Sequence, residues 1–213
     1  SLSEEENMIN AFKNNEDIHA STASAVFNVP LKEVSKEQRS NAKVVNFGII
    51  YGVSAFGLSN QTSLNRKESK ELIEKYYEKY PKLKQYINEQ ISFARSNEYV
   101  ETVLGRRRYL KDINSRNGVV RGAAERNAIN APVQGSAADI IKIAMINIQN
   151  RLNNGNYKSK MLLQVHDELV FDVFKPELND IIELVKNEME KAYEIKVPLT
   201  VDINYGLNWL EAH

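Results

Sequence analysis

The sequence contains no cysteine, which excludes disulfide bonds, thiolate zinc sites and cysteine nucleophiles from its 213 residues. Proline and glycine are also few, at 5 and 9 residues, which argues against disordered, collagen-like and low-complexity classes. No apolar run approaches the roughly 18 residues that span a membrane, and the polar start, SLSEEE, is unlike a signal peptide. We therefore expect a folded intracellular protein with no membrane partner.

Net charge is absent as well, because 28 Lys and Arg residues balance 28 Asp and Glu residues. This balance argues against binding of polyanions through bulk charge. The charges are nevertheless segregated: residues 105–126 carry seven basic and two acidic side chains, whereas residues 167–194 carry three and nine. A local basic surface can bind phosphates in a neutral molecule. The alternative, that these charges only solvate helices, stays open from composition alone.

Apolar spacing and capping signals predict a mostly helical α+β protein. Helices are expected over residues 4–14, 17–27, 35–51, 66–79, 82–97, 119–152 and 176–193, with a kink at Pro132, which interrupts the pattern of the longest one. A short hairpin is expected around Gly105, a second between apolar runs at residues 161–165 and 169–174, and a final strand over residues 199–205.

Four side chains spaced by four residues form a stripe on the helix predicted from residue 35. Two cations, Arg39 and Lys43, precede two aromatic residues, Phe47 and Tyr51. The spacing keeps them on one face over about 18 Å. This order suits a nucleoside triphosphate, with cations for the phosphates and flat rings for the sugar and base, and Gly48 would leave room for a close approach. Alternatively, the rings are buried and the cations merely solvated.

A second stripe, Arg126, Asn130 and Gln134, repeats the four-residue spacing. These side chains are donors that can read acceptors in a minor groove without distinguishing sequence. The alternative is surface polarity, with an amide capping backbone groups freed by Pro132.

The third constellation is His166, Asp167 and Glu168, at the tip of the second predicted hairpin. Carboxylates between two strands sit on a rigid platform, and their oxygens suit Mg²⁺. Asp167 is equally explained as ordinary turn chemistry, because aspartate tolerates left-handed backbone.

Together these segments resemble DNA polymerases of family A, the bacterial DNA polymerase I group. Residues 39–52 (RSNAKVVNFGIIYG) resemble the family's fingers-helix motif, residues 164–168 (QVHDE) its palm motif with a metal-binding aspartate, and residues 124–135 (AERNAINAPVQG) the segment between them. Similar stretches at 17–19 (DIH), 104–109 (LGRRRY) and 208–213 (NWLEAH) extend the likeness over essentially the whole chain.

The resemblance implies a role for each matching position. It implies nucleotide binding by His19, Arg39, Lys43, Phe47 and Tyr51, DNA contact near the primer end by Arg126, Asn130, Gln134 and His166, and Mg²⁺ binding by Asp167 and Glu168. It also implies that Arg39, Lys43, Asp167 and Glu168 are catalytic, and that Phe47, where a tyrosine could stand, favours discrimination against nucleotides lacking a 3′-hydroxyl. The fingers helix would close over a matched base pair.

One family motif is missing from the sequence. Two-metal phosphoryl transfer uses carboxylates on both sides of the ions. The family takes its other aspartate from an Asp-Tyr-Ser-Gln-Ile-Glu strand, which would fall just before Leu2 and is absent. The sequence thus resembles a carboxy-terminal piece of a polymerase, and we expect it to be inactive by itself. The alternative is a non-catalytic nucleotide- or DNA-binding module, or a helical interaction module.

The resemblance implies a mostly helical fingers lobe and a small antiparallel sheet from an incomplete palm. Residues 1–34 would connect palm to fingers, 35–118 would form the fingers, and 119–213 would form the carboxy-terminal part of the palm. The implied partners are primer-template DNA and deoxynucleoside triphosphates in the bacterial cytoplasm, at the nucleoid, in replication and repair. We also expect self-association through an exposed edge of the palm sheet.

Overall fold

The computed structural model describes residues 1–212, with Ile50 described by its backbone alone. The helices are α1 (Glu6–Lys13), α2 (Ile18–Phe27), α3 (Lys36–Ile50), α4 (Ala55–Ser59), α5 (Arg66–Lys79), α6 (Pro81–Asn97), α7 (Gly118–Asn154), α8 (Leu178–Glu190) and α9 (Trp209–Ala212). The strands are β1 (Tyr99–Glu101), β2 (Arg107–Tyr109), β3 (Lys160–Val165) and β4 (Glu168–Asp172). His213, the end of the last quoted motif, lies outside the described residues. The predicted α+β class, mostly helical with small antiparallel sheets, is confirmed.

Polar caps set the starts of the helices that carry the candidate site. Asp17 accepts hydrogen bonds from two backbone N–H groups in the first turn of α2. Ser35 and Gln38 form the predicted capping box at the start of α3, each side chain bonding the other residue's backbone N–H. These caps satisfy donors that have no partner inside the helix, so both helices begin where the sequence predicts.

The first of two compact units comprises Ser1–Gly135. In it α2 packs against α3, and α4 packs against α5. Tyr76 and Tyr80 are among the largest fully buried side chains of its core. Because α3 turns Val45 and Ile49 into this core, its opposite side is left for solvent.

Helix α7 continues through Pro132 without a break, and the kink expected at this residue stays a prediction. Proline removes one N–H donor from the helix, but the neighbouring turns keep their own bonds. The division between the two compact units falls inside this helix, after Gly135. The functional boundaries predicted at residues 34 and 118 stay a prediction.

The second unit begins at Ser136. Its core consists of apolar side chains from α7 and α8, namely Ile148, Leu152, Ile181, Leu184 and Val185. Strands β3 and β4 form the predicted antiparallel hairpin, whose last pair before the turn is Val165 with Glu168. Between Met161 and Leu163 the partner strand advances by only one residue, so Leu162 is the extra residue of a β-bulge.

The strand predicted over residues 199–205 does not form. Alternating apolar residues favour a strand only where a neighbouring edge can take its backbone hydrogen bonds. Here the backbone N–H of Val201 donates to the carboxylate of Glu190, at 3.3 Å. None of the helices formed by residues 1–212 combines the length and apolar character that a membrane crossing requires.

Candidate functional site

The stripe predicted on α3 is exposed. Phe47 and Tyr51 are 48% and 47% accessible, while Arg39 and Lys43 are also exposed. Ala42, Val45 and Ile49, on the other face, are at most 2% accessible. The alternative in which both rings belong to the core is therefore wrong, because both rings and both cations of the stripe are exposed while Ala42, Val45 and Ile49 are buried.

Arg39 is held by Asp17 across the two packed helices. Its Nε lies 2.6 Å from Asp17 Oδ2, with both side chains almost half exposed. The hydrogen bond from Arg39 is the main cause that lowers the pKa of Asp17 below its ordinary value, helped by the backbone N–H groups that Asp17 caps. Asp17 thereby orients the guanidinium of Arg39. The sequence predicted Asp17 only as a helix cap and not this contact.

His19 joins the stripe from the first turn of α2. Its ring centroid lies 5.7 Å from that of Phe47, and its Nδ1 lies 2.9 Å from the amide nitrogen of Asn46. Burial lowers the pKa of His19 and the nearby charges of Arg39 and Lys43 lower it further, whereas Asp17 acts in the opposite direction. The imidazole therefore stands within electrostatic reach of both cations of the stripe.

Asn46 is a site residue that the sequence reasoning missed. It is 7% accessible and lies between Val45 and Phe47 on α3. A signal was available, because an amide next to Val45 on the core-facing side of α3 needs a hydrogen-bonding partner.

Gly48 does not leave open space beside Phe47, contrary to the expectation. A Cβ at this position would lie 2.6 Å from Cγ1 of Val53, so the Val53 side chain already occupies the volume. Glycine at this position lets Val53 pack against the end of α3, where the Val53 N–H donates to the Gly48 carbonyl at 2.7 Å.

The second stripe lies on α7 and adjoins the end of α3 through Arg126. A Cβ on Gly52 would lie 2.8 Å from Arg126 Cγ and 3.6 Å from its Cα, so the two backbones approach closely. Arg126 and Gln134 are exposed, and Asn130 is half-buried. The Asn130 Oδ1 atom is buried without a hydrogen-bond partner among residues 1–212.

The basic segment, residues 105–126, begins in the β1–β2 hairpin. Arg107 is paired with Glu101 at 2.8 Å and lies over the ring of Tyr99, with 4.4 Å from Cζ to the ring centroid. Arg121 lies 3.8 Å from Glu125. Within the part of the chain that the structure describes, the members with exposed side chains and no ion pair are Arg108, Lys111, Arg116 and Arg126. A net positive surface therefore remains.

The hairpin tip belongs to the second compact unit. His166, with φ +54°, adopts left-handed backbone, so it is this residue and not Asp167 that makes the turn geometry possible. The side chain of Gln164 donates to the His166 carbonyl at 2.8 Å. Asp167 and Glu168 are exposed. Their oxygens fit Mg²⁺ in kind, although no group of three or more metal-binding side chains occurs among the described residues.

The chain is similar to known DNA polymerases over nearly its whole length. Residues 1–211 match the family model for DNA polymerase family A. The chain is 52% identical over 210 residues to DNA polymerase I of Caldicellulosiruptor bescii, covering 99% of this chain and 25% of that protein. It is 52% identical over 212 residues to DNA polymerase I of Streptococcus pneumoniae, covering 99% and 24%. The chain spans about a quarter of the length of these relatives.

A solved structure is similar over nearly the whole chain. It is described as the POL domain of Pol1 from M. smegmatis in complex with DNA primer-template and dNTP. The TM-score is 0.93 at 44% sequence identity, and the match covers 99% of this chain and 37% of that one.

Proposed function

Because the chain belongs to DNA polymerase family A, we propose that it forms the nucleotide-binding surface and part of the DNA-binding surface of a template-directed DNA polymerase. The reaction is transfer of a deoxynucleotide to a primer 3′-hydroxyl, in replication and repair. The carrying observation is that His19, Arg39, Lys43 and Phe47 meet on one exposed surface. The similar M. smegmatis domain, described with primer-template and dNTP, supports the same assignment.

The triphosphate is the ligand that this surface suits best. The Arg39 guanidinium offers a planar fork and Lys43 a point charge, both suited to phosphate oxygens. Phe47 and Tyr51 present exposed rings farther along the same helix, where sugar and base can stack. The contact with Asp17 keeps the Arg39 guanidinium oriented until the ligand arrives. On binding, Arg39 would exchange part of this contact for one with the ligand.

DNA is the second ligand of the proposal. Arg126, Asn130 and Gln134 carry donors suited to minor-groove acceptors, which are nearly the same for every base pair. Such contacts test the shape of a base pair and not its sequence. The exposed cations of the basic segment would hold the phosphate backbone and make affinity depend on salt. Salt-independent binding would instead favour the helical interaction module.

Mg²⁺ would be held by Asp167, with Glu168 beside it. When bound, the ion stabilises developing charge on phosphate oxygens and activates the primer hydroxyl. The residues of this chain supply oxygen donors at a fixed turn, next to His166, which we propose lies near the primer end. A two-metal site needs further carboxylates, so we propose that the 213-residue chain does not extend a primer by itself.

A nucleotide titration tests the binding proposal. We expect Lys43→Ala to weaken binding of a fluorescently labelled deoxynucleoside triphosphate by roughly tenfold or more, because one charge-assisted contact is lost. Lys67→Ala is the matched control, since Lys67 is an exposed lysine on α5, outside the stripe. Fluorescence anisotropy measures both affinities. Equal affinity of the wild type and Lys43→Ala would refute the assignment.

A primer-extension assay tests the metal proposal. With Mg²⁺, primer-template and all four nucleotides, we expect product from the purified chain to stay at the background of an enzyme-free control. Extension that is abolished by Asp167→Ala would show instead that the chain assembles a complete site alone.

A further inference from the structure

A line of side-chain hydrogen bonds leads from His19 into the core of the first unit. The His19 Nδ1 atom lies 2.9 Å from Asn46 Nδ2, and Asn46 Oδ1 lies 3.2 Å from the hydroxyl of Thr22. That hydroxyl lies 3.0 Å from the hydroxyl of Tyr80. Four residues from α2, α3 and the end of α5 are thereby connected, and His19 is the outermost.

The three inner members are shielded from water. Thr22 and Tyr80 are each 1% accessible, and Asn46 is 7% accessible. Polar groups at such depth depend on one another for hydrogen bonds, since an unpaired buried donor is strongly unfavourable. We therefore expect the two hydroxyl hydrogens in this line to be distributed so that each finds an acceptor.

This requirement fixes which atom donates and which accepts at each hydrogen bond along the line. If Tyr80 donates to Thr22 and Thr22 donates to Asn46 Oδ1, the Asn46 amide nitrogen faces His19 and donates to Nδ1. With the amide turned over, Asn46 donates to Thr22, and either the Thr22 or the Tyr80 hydroxyl hydrogen is left without an acceptor among the contacts of residues 1–212. The first arrangement alone gives both hydroxyl hydrogens an acceptor.

We propose that Tyr80, Thr22 and Asn46 are positioning residues that fix His19 in the tautomer with its hydrogen on Nε2. An amide nitrogen cannot accept a hydrogen bond, so Nδ1 must keep its lone pair and Nε2 carries the proton. No hydrogen-bond partner of Nε2 occurs among the described residues, which leaves this N–H to donate to an anionic oxygen beside Arg39 and Lys43. The identity of that anion rests on the proposed nucleotide site, whereas the assignment of the tautomer is independent of that site.

The charges around the ring are consistent with a neutral imidazole. Burial and the cations Arg39 and Lys43 lower the pKa of His19, and only Asp17 opposes them. A neutral ring has two tautomers, and only one of them places a donor on the Nε2 edge. The buried line selects that one before any ligand is present.

Nitrogen NMR of the histidine side chains tests the proposal directly. In the ¹⁵N-labelled chain at about pH 8, well above the ordinary histidine pKa of about 6.5, we expect a protonated Nε2 and a bare Nδ1 for His19. Asn46→Asp should place a hydrogen on Nδ1, because a carboxylate can only accept. Asn41→Asp, at another buried asparagine of α3, is the control and should leave the wild-type pattern.

Thr22→Val provides a second variant of nearly the same volume if Asn46→Asp does not fold. Loss of the hydroxyl frees the Asn46 amide to turn over, so we expect a second population with the hydrogen on Nδ1. A wild-type spectrum with the hydrogen on Nδ1 would overturn the proposal. So would a pattern unchanged by every folded variant of Asn46 and Thr22.

Inorganic tripolyphosphate separates this inference from the proposed function. We expect its addition to shift the His19 Nε2 signal of the wild type, and Thr22→Val, which changes no charge, to weaken its binding because part of the population loses the Nε2 donor. A correct tautomer with no response to tripolyphosphate would support the positioning role and count against the nucleotide site.

Discussion

Asp17 makes two kinds of contact that stabilise different parts of the first unit. Its carboxylate caps α2 and also pairs with Arg39 on α3. The cap is a local interaction of about 1 kcal/mol. The ion pair is almost half exposed and is expected to contribute less than about 1 kcal/mol. Substitutions can separate the two effects, because asparagine caps a helix nearly as well as aspartate but carries no charge.

We expect Asp17→Asn to lower the free energy of unfolding by less than about 1 kcal/mol at neutral pH, and Asp17→Ala by about 1 kcal/mol more. The pKa of Asp17 is lowered in the fold, so the ion pair contributes fully above the ordinary value of 3.8 and is lost as pH falls through the folded value. Urea unfolding at several pH values measures this. A wild-type to Asp17→Asn difference that persists well below that range would contradict it.

The sequence predicted the cap but not the ion pair. An aspartate just before an apolar helical pattern is a local signal. The partner, Arg39, is 22 residues away, and only the packing of α2 on α3 brings it within reach. The same holds for His19 and Asn46, whose contact depends on that packing.

At the scale of elements, the junction between α3 and α7 depends on Gly52. Its φ of +67° lies in the left-handed region, and a Cβ there would also meet the Arg126 side chain. Gly105 shares the positive φ, at +76°, but has no neighbour within 4 Å of such a Cβ. Comparing alanine substitutions at the two glycines therefore separates the cost of left-handed backbone strain from the cost of steric conflict with Arg126.

We expect Gly105→Ala to lower the free energy of unfolding by about 1 kcal/mol, through left-handed strain alone. Gly52→Ala should cost roughly twice as much, because Arg126 must also move. Chemical denaturation of both variants measures the difference. Equal losses would show that the contact between Gly52 and Arg126 is unimportant for stability.

Elements with local signals were predicted well, and the exceptions have physical causes. The capping box of α3 and the turn of the β3–β4 hairpin follow from short segments. The failed strand over residues 199–205 had the right alternation, but a strand also needs a partner, and alternation cannot report one. Residues 166–168 were predicted as the hairpin tip, yet the left-handed position fell on His166.

In the whole molecule, the zero net charge hides the segregation of basic and acidic residues, and this segregation decides which surface can bind an anion. The exposed cations of the basic segment belong to the first unit, while the acidic residues 167–194 belong to the second. The first unit therefore presents a basic surface to a ligand, and the second unit presents an acidic one. Summed charge describes solubility, whereas local charge decides which surface can meet a phosphate.

Exposed apolar residues on β3 favour self-association, which stays a prediction. Leu162 and Leu163 are 58% and 44% accessible on a strand of a two-stranded sheet. We expect the wild-type apparent mass to rise with concentration in analytical ultracentrifugation, and Leu162→Lys to reduce this rise. Ile146→Lys, at an equally exposed residue of α7, should behave as the wild type. A wild type that is monomeric at every concentration would refute the prediction.

The bulge at Leu162 sets the phase of the strand that leads to the turn. One extra residue reverses the order in which side chains alternate between the two faces, so residues before and after it follow opposite parity. The bulge therefore lets Met161 and Gln164, three residues apart on β3, lie on the same face of the hairpin, opposite Phe171 and Leu169. Deleting Leu162 would make the pairs Met161–Phe171 and Leu163–Val170 consecutive in a regular ladder, so we expect the tip residues 166–168 to keep their faces while the local twist and bend of β3 decrease.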